Sequence, residues 1–209
     1  MFIEVLPKDL PRHLDALSRS GLLRPFYLAG GTGAALQLGH RLSVDLDFFS
    51  SATFDPQRLA SDVAGHGRFA GVEIAPGTVH GIFEGVRLGF LHYRYPLLDQ
   101  PIHDLGIDIA GLRDIAWMKI EAVAGRGSRR DFIDLYVFCQ RVKPLLQLLH
   151  DFEDKYRGIE YNKVHILKSL CYFEEAEREP LPKLLIPLAW EDVKGFFLAE
   201  SRRIADQWF

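Results

Sequence analysis

A chain of 209 residues with 48% apolar side chains and a formal net charge of −3 fits one large domain or two small ones, with enough length to bury a real core. The composition excludes a disordered chain, and no uninterrupted apolar run reaches bilayer length, so no membrane-spanning helix is expected. The mildly acidic balance excludes a protein that coats nucleic acid through bulk charge, while leaving room for a local basic groove.

Residues Met1 to Pro7 lack a basic segment followed by a cleavable apolar one, so no signal peptide is expected. Cys139 and Cys171 sit in helix-like apolar segments and read as buried thiols rather than a disulfide or zinc cluster. The cytoplasm is the expected compartment.

In chain order, Lys8 to Leu23 reads as a helix, with Pro11 in its first turn and Leu10, Leu14 and Leu17 at helical spacing. Phe26 to Ala29 is a short apolar strand running into Gly30-Gly31. Thr32 to Gly39 reads as a helix, and Ser43 to Phe49 as a second strand. Asp55-Pro56 is an N-cap followed by proline at the first helical position, starting a helix that stops near Gly65. Arg68 to Ala75, Thr78 to Phe83 and Val86 to Tyr95 are strands separated by the hairpin punctuation Pro76-Gly77 and Glu84-Gly85; Ile107 to Ile109 adds a short strand. After Gly111 the pattern turns helical over Leu112–Ala124, Arg130–Arg141, Pro144–Tyr156, Lys163–Glu177 and Glu191–Gln207. A mixed sheet followed by helices implies an α+β architecture, divided as a core over residues 1–110 and a helical region over 111–209.

Two devices stand close together in the first part. A strand that ends in Gly30-Gly31 and opens a helix leaves unpaired N–H groups pointing outward, with the partial positive charge of the helix start behind them. Glycine lets a phosphate approach the backbone closely, and Thr32 offers a hydroxyl donor. On the next strand Asp45 and Asp47, two residues apart, share one face, while Val44, Leu46 and Phe48 are expected in the core. Two neighbouring carboxylates repel unless a cation lies between them, and hard oxygen donors suit Mg²⁺ or Mn²⁺ with substrate phosphates completing the shell. A tight turn and a solvated acidic face are the plainer alternatives for each device taken alone.

Gly30-Gly31-Thr32, Ala35-Leu36-Gln37-Leu38-Gly39-His40-Arg41 and Ser43-Val44-Asp45-Leu46-Asp47-Phe48-Phe49 together resemble the signature of the AbiEii/MenT nucleotidyltransferase toxins, members of the DNA polymerase β-like nucleotidyltransferase superfamily. Ala116-Trp117-Met118-Lys119-Ile120-Glu121-Ala122 is similar to the family's lysine motif. Arg126-Gly127-Ser128-Arg129-Arg130-Asp131-Phe132-Ile133-Asp134-Leu135-Tyr136 is similar to its final motif. The resemblance spans roughly residues 27 to 136 and implies a polymerase β-like core completed by the helical region.

The resemblance implies a metal-dependent nucleotidyltransferase that moves NMP from a nucleoside triphosphate to an RNA 3′ end, tRNA being the expected acceptor, as the toxin of a type IV toxin–antitoxin or phage-defence pair with a cognate antitoxin protein. It implies that Gly30, Gly31, Thr32, Lys119, Arg126 and Arg130 hold the nucleotide, that Asp45 and Asp47 hold the metal, and that Asp45, Asp47, Lys119, Asp131 and Asp134 serve catalysis. From spacing alone Lys119 is equally a snorkelling surface residue or a phosphate ligand. Asp131 and Asp134 share a helix face and equally read as helix-start acids, and Arg126, Arg129 and Arg130 as a solvated loop. His40 reads as a helix C-terminal cation or a supporting partner of the site; His80, His92 and His103 show no metal-ligand spacing. Many enzymes of the superfamily carry a third metal-binding carboxylate on a later strand. Val86 to Tyr95 has no acid, and Asp108 is the next with suitable alternation, its role left open. A transferase acting on a small molecule or a protein hydroxyl, and a non-catalytic protein on the same scaffold, are the rival readings.

Overall fold

The computed structural model of the chain describes residues 1–8, 10–158 and 161–208. Its elements are α1 (Leu10–Arg19), β1 (Tyr27–Leu28), α2 (Gly30–Leu38), β2 (Asp45–Ser50), α3 (Pro56–Ala64), β3 (Phe69–Ala75), β4 (Thr78–Phe83), β5 (Val86–His92), β6 (Ile102–Asp104), β7 (Ile107–Ile109), α4 (Leu112–Gly125), α5 (Arg129–Arg141), α6 (Leu145–Lys155), α7 (Lys163–Ser169), α8 (Glu174–Arg178) and α9 (Trp190–Trp208). Residue 9, inside the helix expected from Lys8 to Leu23, lies outside the described residues. The architecture is α+β, with a mixed seven-stranded sheet in the order β3-β4-β5-β2-β1-β7-β6.

β3, β4 and β5 form an antiparallel meander, β5 runs parallel to β2, and β2 is antiparallel to β1. Alternation sorts the two faces of the sheet. Leu46 and Phe48 of β2, Leu88 and Phe90 of β5, and Val79 and Phe83 of β4 are buried against Leu10, Leu14 and Leu17 of α1 and Leu59, Ala60 and Val63 of α3. Asp45, Asp47 and Phe49 therefore face the other way. Helix α3 starts as its sequence requires: the Asp55 side chain accepts from the N–H groups of Gln57 and Arg58, and Pro56 follows it.

The helices after Gly111 share a second apolar cluster around Trp117, Phe132, Phe138 and Phe197. Helix α2 is buried between the layers: Leu36 belongs to the sheet-side core, Leu38 to the helical cluster and Ala34 to a small cluster with Ile115. No helix among the described residues is long and apolar enough to cross a membrane.

Four expectations need correcting. Val44 is 52% exposed rather than in the core, because β2 begins only at Asp45 and the chain before it is loop. β6 went unread because its residues are mostly exposed and carry little apolar pattern. The helix expected over Lys163–Glu177 is broken into α7 and α8, and the break lets the Phe173 ring pack against Phe132 (5.1 Å) and Trp190 (6.0 Å). Val86 to Tyr95 is shortened to end at His92, after which the Tyr93 N–H donates to the Ser50 carbonyl (2.8 Å).

Candidate active site

The two acids lie over the middle of the sheet. β2 is flanked by β5 and β1, which places Asp45 opposite Arg87 and Asp47 opposite Gly89. Asp45 Oδ2 lies 3.4 Å from Arg130 Nη1. Burial, then the charge of Asp45, pushes the Asp47 carboxyl above the usual carboxylate range, partly offset by Lys119, His80 and Arg126.

Next to this pair β1 ends and α2 begins at Gly30. No side chain caps that helix start, so its first N–H groups have no intrahelical partner. Gly30 has φ 60°, and a Cβ there would sit 3.0 Å from Asp47 Oδ2. A Cβ on Gly31 would run into Arg41 Nη2. The Thr32 hydroxyl is buried and hydrogen-bonded to Ser43 Oγ (2.8 Å) and to the Asp45 backbone carbonyl, so it ties α2 to the start of β2 at the edge of the cleft.

The helical region brings the other charges. Lys119 on α4 is buried, and its Nζ lies 2.7 Å from both Asp131 Oδ1 and Asp134 Oδ2 on α5. Ser128 caps α5, accepting from the Asp131 N–H and donating to Asp131 Oδ2 (2.7 Å), a reciprocal pattern that fixes Asp131 in the first turn. Arg126 Nε donates to the same oxygen (2.8 Å). Asp134 also accepts from Arg41 Nε (2.6 Å), Arg41 Nη2 (2.8 Å) and His40 Nε2 (2.7 Å). A carboxylate only accepts, so Nε2 carries the proton in that last bond. His40 is thus a partner of Asp134, directly after Gly39, which ends α2 in a left-handed conformation.

Burial alone would raise both carboxyls. Beside Asp131 the charges of Lys119 and Arg126, and beside Asp134 those of Arg41 and Lys119, more than offset it and hold both well below the usual range. Burial likewise works against the Lys119 ammonium, and Asp131 and Asp134 more than offset it, so its pKa is raised. It donates to Asp131 Oδ1 and is ion-paired with Asp134, which leaves it donor capacity for a ligand.

A cleft of about 460 Å³ lies above these groups, lined by Gly31, Thr32, Asp45, Asp47, Lys119, Arg126, Arg130 and Asp131 among others. Gly30 lines an adjoining cavity. Asp134 lines neither, so its expected catalytic role becomes one of positioning Lys119 and Arg41. Arg129, read with the basic cluster, turns away to the Ala176 and Glu177 carbonyls. Arg41, Ser43, Ser128 and His80 line the cleft and escaped sequence reasoning. For Ser128 there was a signal, the capping pattern Ser128-x-x-Asp131. Arg41 stands inside a motif of the resemblance, but nothing local showed its pairing with Asp134, 93 residues away.

The donor set fits a hard divalent cation. Two carboxylates lie side by side, one of them raised by burial and by the charge of the other, at an uncapped helix start. Among the described residues no group of three or more His, Cys, Asp or Glu is arranged to hold a metal, so phosphates and water would have to complete the shell. Asp108 does not join the pair: it lies in register with Tyr27, binds His103 Nδ1 (2.9 Å) and lines neither cavity.

Sequence and structure comparisons bear on the family and the fold. The profile of the family described as "Nucleotidyl transferase AbiEii toxin, Type IV TA system" matches residues 12–110. The protein aq_aa25 of Aquifex aeolicus (strain VF5), itself uncharacterized, is 38% identical over 200 residues, covering 92% of this chain and 94% of that protein. Two crystal structures of Helicobacter pylori proteins share the fold at 16% identity. One covers 96% of this chain and 93% of its own at TM-score 0.52; the other, of JHP933, covers 96% and 92% at TM-score 0.50. The chain belongs to the AbiEii family of nucleotidyltransferase toxins.

Proposed function

We propose that this nucleotidyltransferase moves a nucleoside monophosphate from a nucleoside triphosphate to an RNA 3′ end, with tRNA the expected acceptor, and does so in the cytoplasm as the partner of a cognate antitoxin protein. The observation that carries the reading is the closeness of the uncapped start of α2 to Asp47, a would-be Gly30 Cβ lying 3.0 Å from its carboxylate. Phosphates seated on the N–H groups of α2 would reach a cation held by Asp45 and Asp47. Bound there, Mg²⁺ or Mn²⁺ would stabilise the charge that develops on the phosphates.

The rest falls to the chain's own groups. The Gly30 and Gly31 N–H groups cradle the phosphates. Arg126, Arg130 and Lys119 neutralise them, and Asp131 and Asp134 hold Lys119 in place. The acceptor's 3′ hydroxyl gives up its proton to solvent as its oxygen bonds to the α-phosphorus, the bond from that phosphorus to the bridging oxygen breaks, and pyrophosphate leaves. Positioned donors aimed at such charge are worth roughly 10²–10³ in rate each. The sheet-bearing part, residues 1–110, supplies the cation and phosphate sites, and the helical part, residues 111–209, closes the cleft with its lysine and arginines.

Incubation with each labelled triphosphate, Mg²⁺ and total cellular RNA, followed by a gel, tests the reading. Label in a discrete RNA band that requires Mg²⁺ supports it. Label absent from RNA but found on a small molecule or protein would move the acceptor elsewhere.

A further inference from the structure

Asp45, Asp47 and Phe49 occupy successive positions on one face of β2, two carboxylates and then an aromatic ring. The character of the groove changes with them. Beyond Asp47 it opens into a second cavity of about 480 Å³ walled by Phe49, Leu91, Tyr93 and Met118. Phe49 and Leu91 face each other in register, and the Tyr93 ring meets Phe49 edge-on at 5.9 Å. The two cavities join at Gly31, Asp47, His80, Lys119, Arg126 and Asp131. A nucleoside triphosphate has the same division, an anionic tail and an aromatic base, linked through the atoms that react. A free triphosphate has no pairing partner for its base, so the enzyme's apolar walls must supply the contact.

Away from the junction with Asp47 and Asp131, the cavity has one acidic wall. Glu121 lines it, and its Oε2 lies 3.1 Å from the Tyr93 hydroxyl and 3.2 Å from that of Tyr156. The two hydroxyls are 2.6 Å apart. Burial, above all, pushes both phenols up, so they stay protonated and hydrogen-bond as hydroxyls. The tyrosines thus hold the carboxylate in place while leaving it acceptor capacity toward the cavity.

We propose that this cavity is the nucleobase subsite and that Glu121 makes it favour a base bearing an exocyclic amine over uracil. The inference rests on the nucleotidyltransfer reading above and adds a substrate preference to it. An ionised carboxylate can only accept, so it rewards the amine of cytosine, adenine or guanine. Against uracil it faces a carbonyl oxygen at the edge where cytosine carries its amine.

The test is equilibrium binding of CTP and UTP, equal in size, in the presence of Mg²⁺, to wild type, Glu121→Gln and Phe49→Leu, each checked for a cooperative melt. Wild type should bind CTP about ten-fold more tightly than UTP. Glu121→Gln, which offers a donor as well as an acceptor, should bring the ratio close to one. Phe49→Leu should weaken both nucleotides and leave the ratio in place. Equal binding of the two by wild type, or an unchanged ratio in Glu121→Gln, would overturn the subsite while leaving nucleotidyl transfer intact. Binding of none of CTP, UTP, ATP and GTP, each tried with Mg²⁺, would overturn both.

Discussion

Asp47 carries a cost that Lys119, His80 and Arg126 offset only in part. Its carboxylate is buried beside Asp45, and both effects disfavour its charge. Asp47→Asn removes that repulsion, so the variant should melt at or above the wild-type temperature while transfer falls about 10²-fold or more. A turnover assay paired with a thermal melt checks both halves, and wild-type turnover would refute the cation assignment. Asp134→Asn should behave in the opposite way. It leaves Lys119 and Arg41 short of a buried acid, and breaking such a pairing costs about 3–5 kcal/mol in urea unfolding; a loss under about 1 kcal/mol would show that the pairing is weak. Asp45 and Asp47 were legible in the sequence because a strand repeats every two residues. The partners of Asp134 were not, since Arg41 and His40 lie 93 and 94 residues away and only the folded chain joins them. The bonds of Thr32 were hidden for a related reason: its neighbours in sequence gave no sign that Ser43 and the Asp45 carbonyl would engage its hydroxyl.

Among the elements, α2 is the one whose start the account depends on. Gly31 abuts the guanidinium of Arg41, which is pinned by Asp134 and has little freedom to yield. Gly31→Ala should therefore displace Arg41, lowering both stability and triphosphate affinity. Calorimetric binding and a urea titration of the same variant would show it, and unchanged values for both would contradict the close packing. At α5, Ser128→Ala removes an N-cap and a donor to Asp131, a loss of about 1 kcal/mol. Strands β4 and β7 match their sequence-based bounds, and the hairpins were marked by Gly77 and Gly85, both at positive φ. Where an element was missed or broken, as at β6 and between α7 and α8, exposure or the packing of one aromatic ring had outweighed the local pattern.

Over the whole molecule, the charges at the cleft make stability depend on pH. Asp131 and Asp134 have carboxyls held below their unfolded value, so they add stability that is fully present above about pH 4 and lost as pH falls through the lower folded values. Asp47, held above its unfolded value, works the other way: its contribution is present at low pH and lost as pH rises through its raised value. With two groups against one, the urea midpoint should fall between pH 4 and pH 3; an equal midpoint at pH 7 and pH 3 would contradict the network. The α+β class was readable from the change of pattern after Gly111. The order of the strands was not, because the placement of β2 at the centre of the sheet rests on pairings between distant segments.

In the function proposed, Asp45 and Asp47 present a divalent cation to phosphates seated on the start of α2. Equilibrium binding of a labelled triphosphate, with and without Mg²⁺, to wild type and to Asp47→Asn tests it most directly. Mg²⁺ should tighten binding to wild type by about ten-fold or more, a charge effect of roughly 1.4 kcal/mol, and should do little for the variant. The same Mg²⁺ dependence in both proteins would contradict the account.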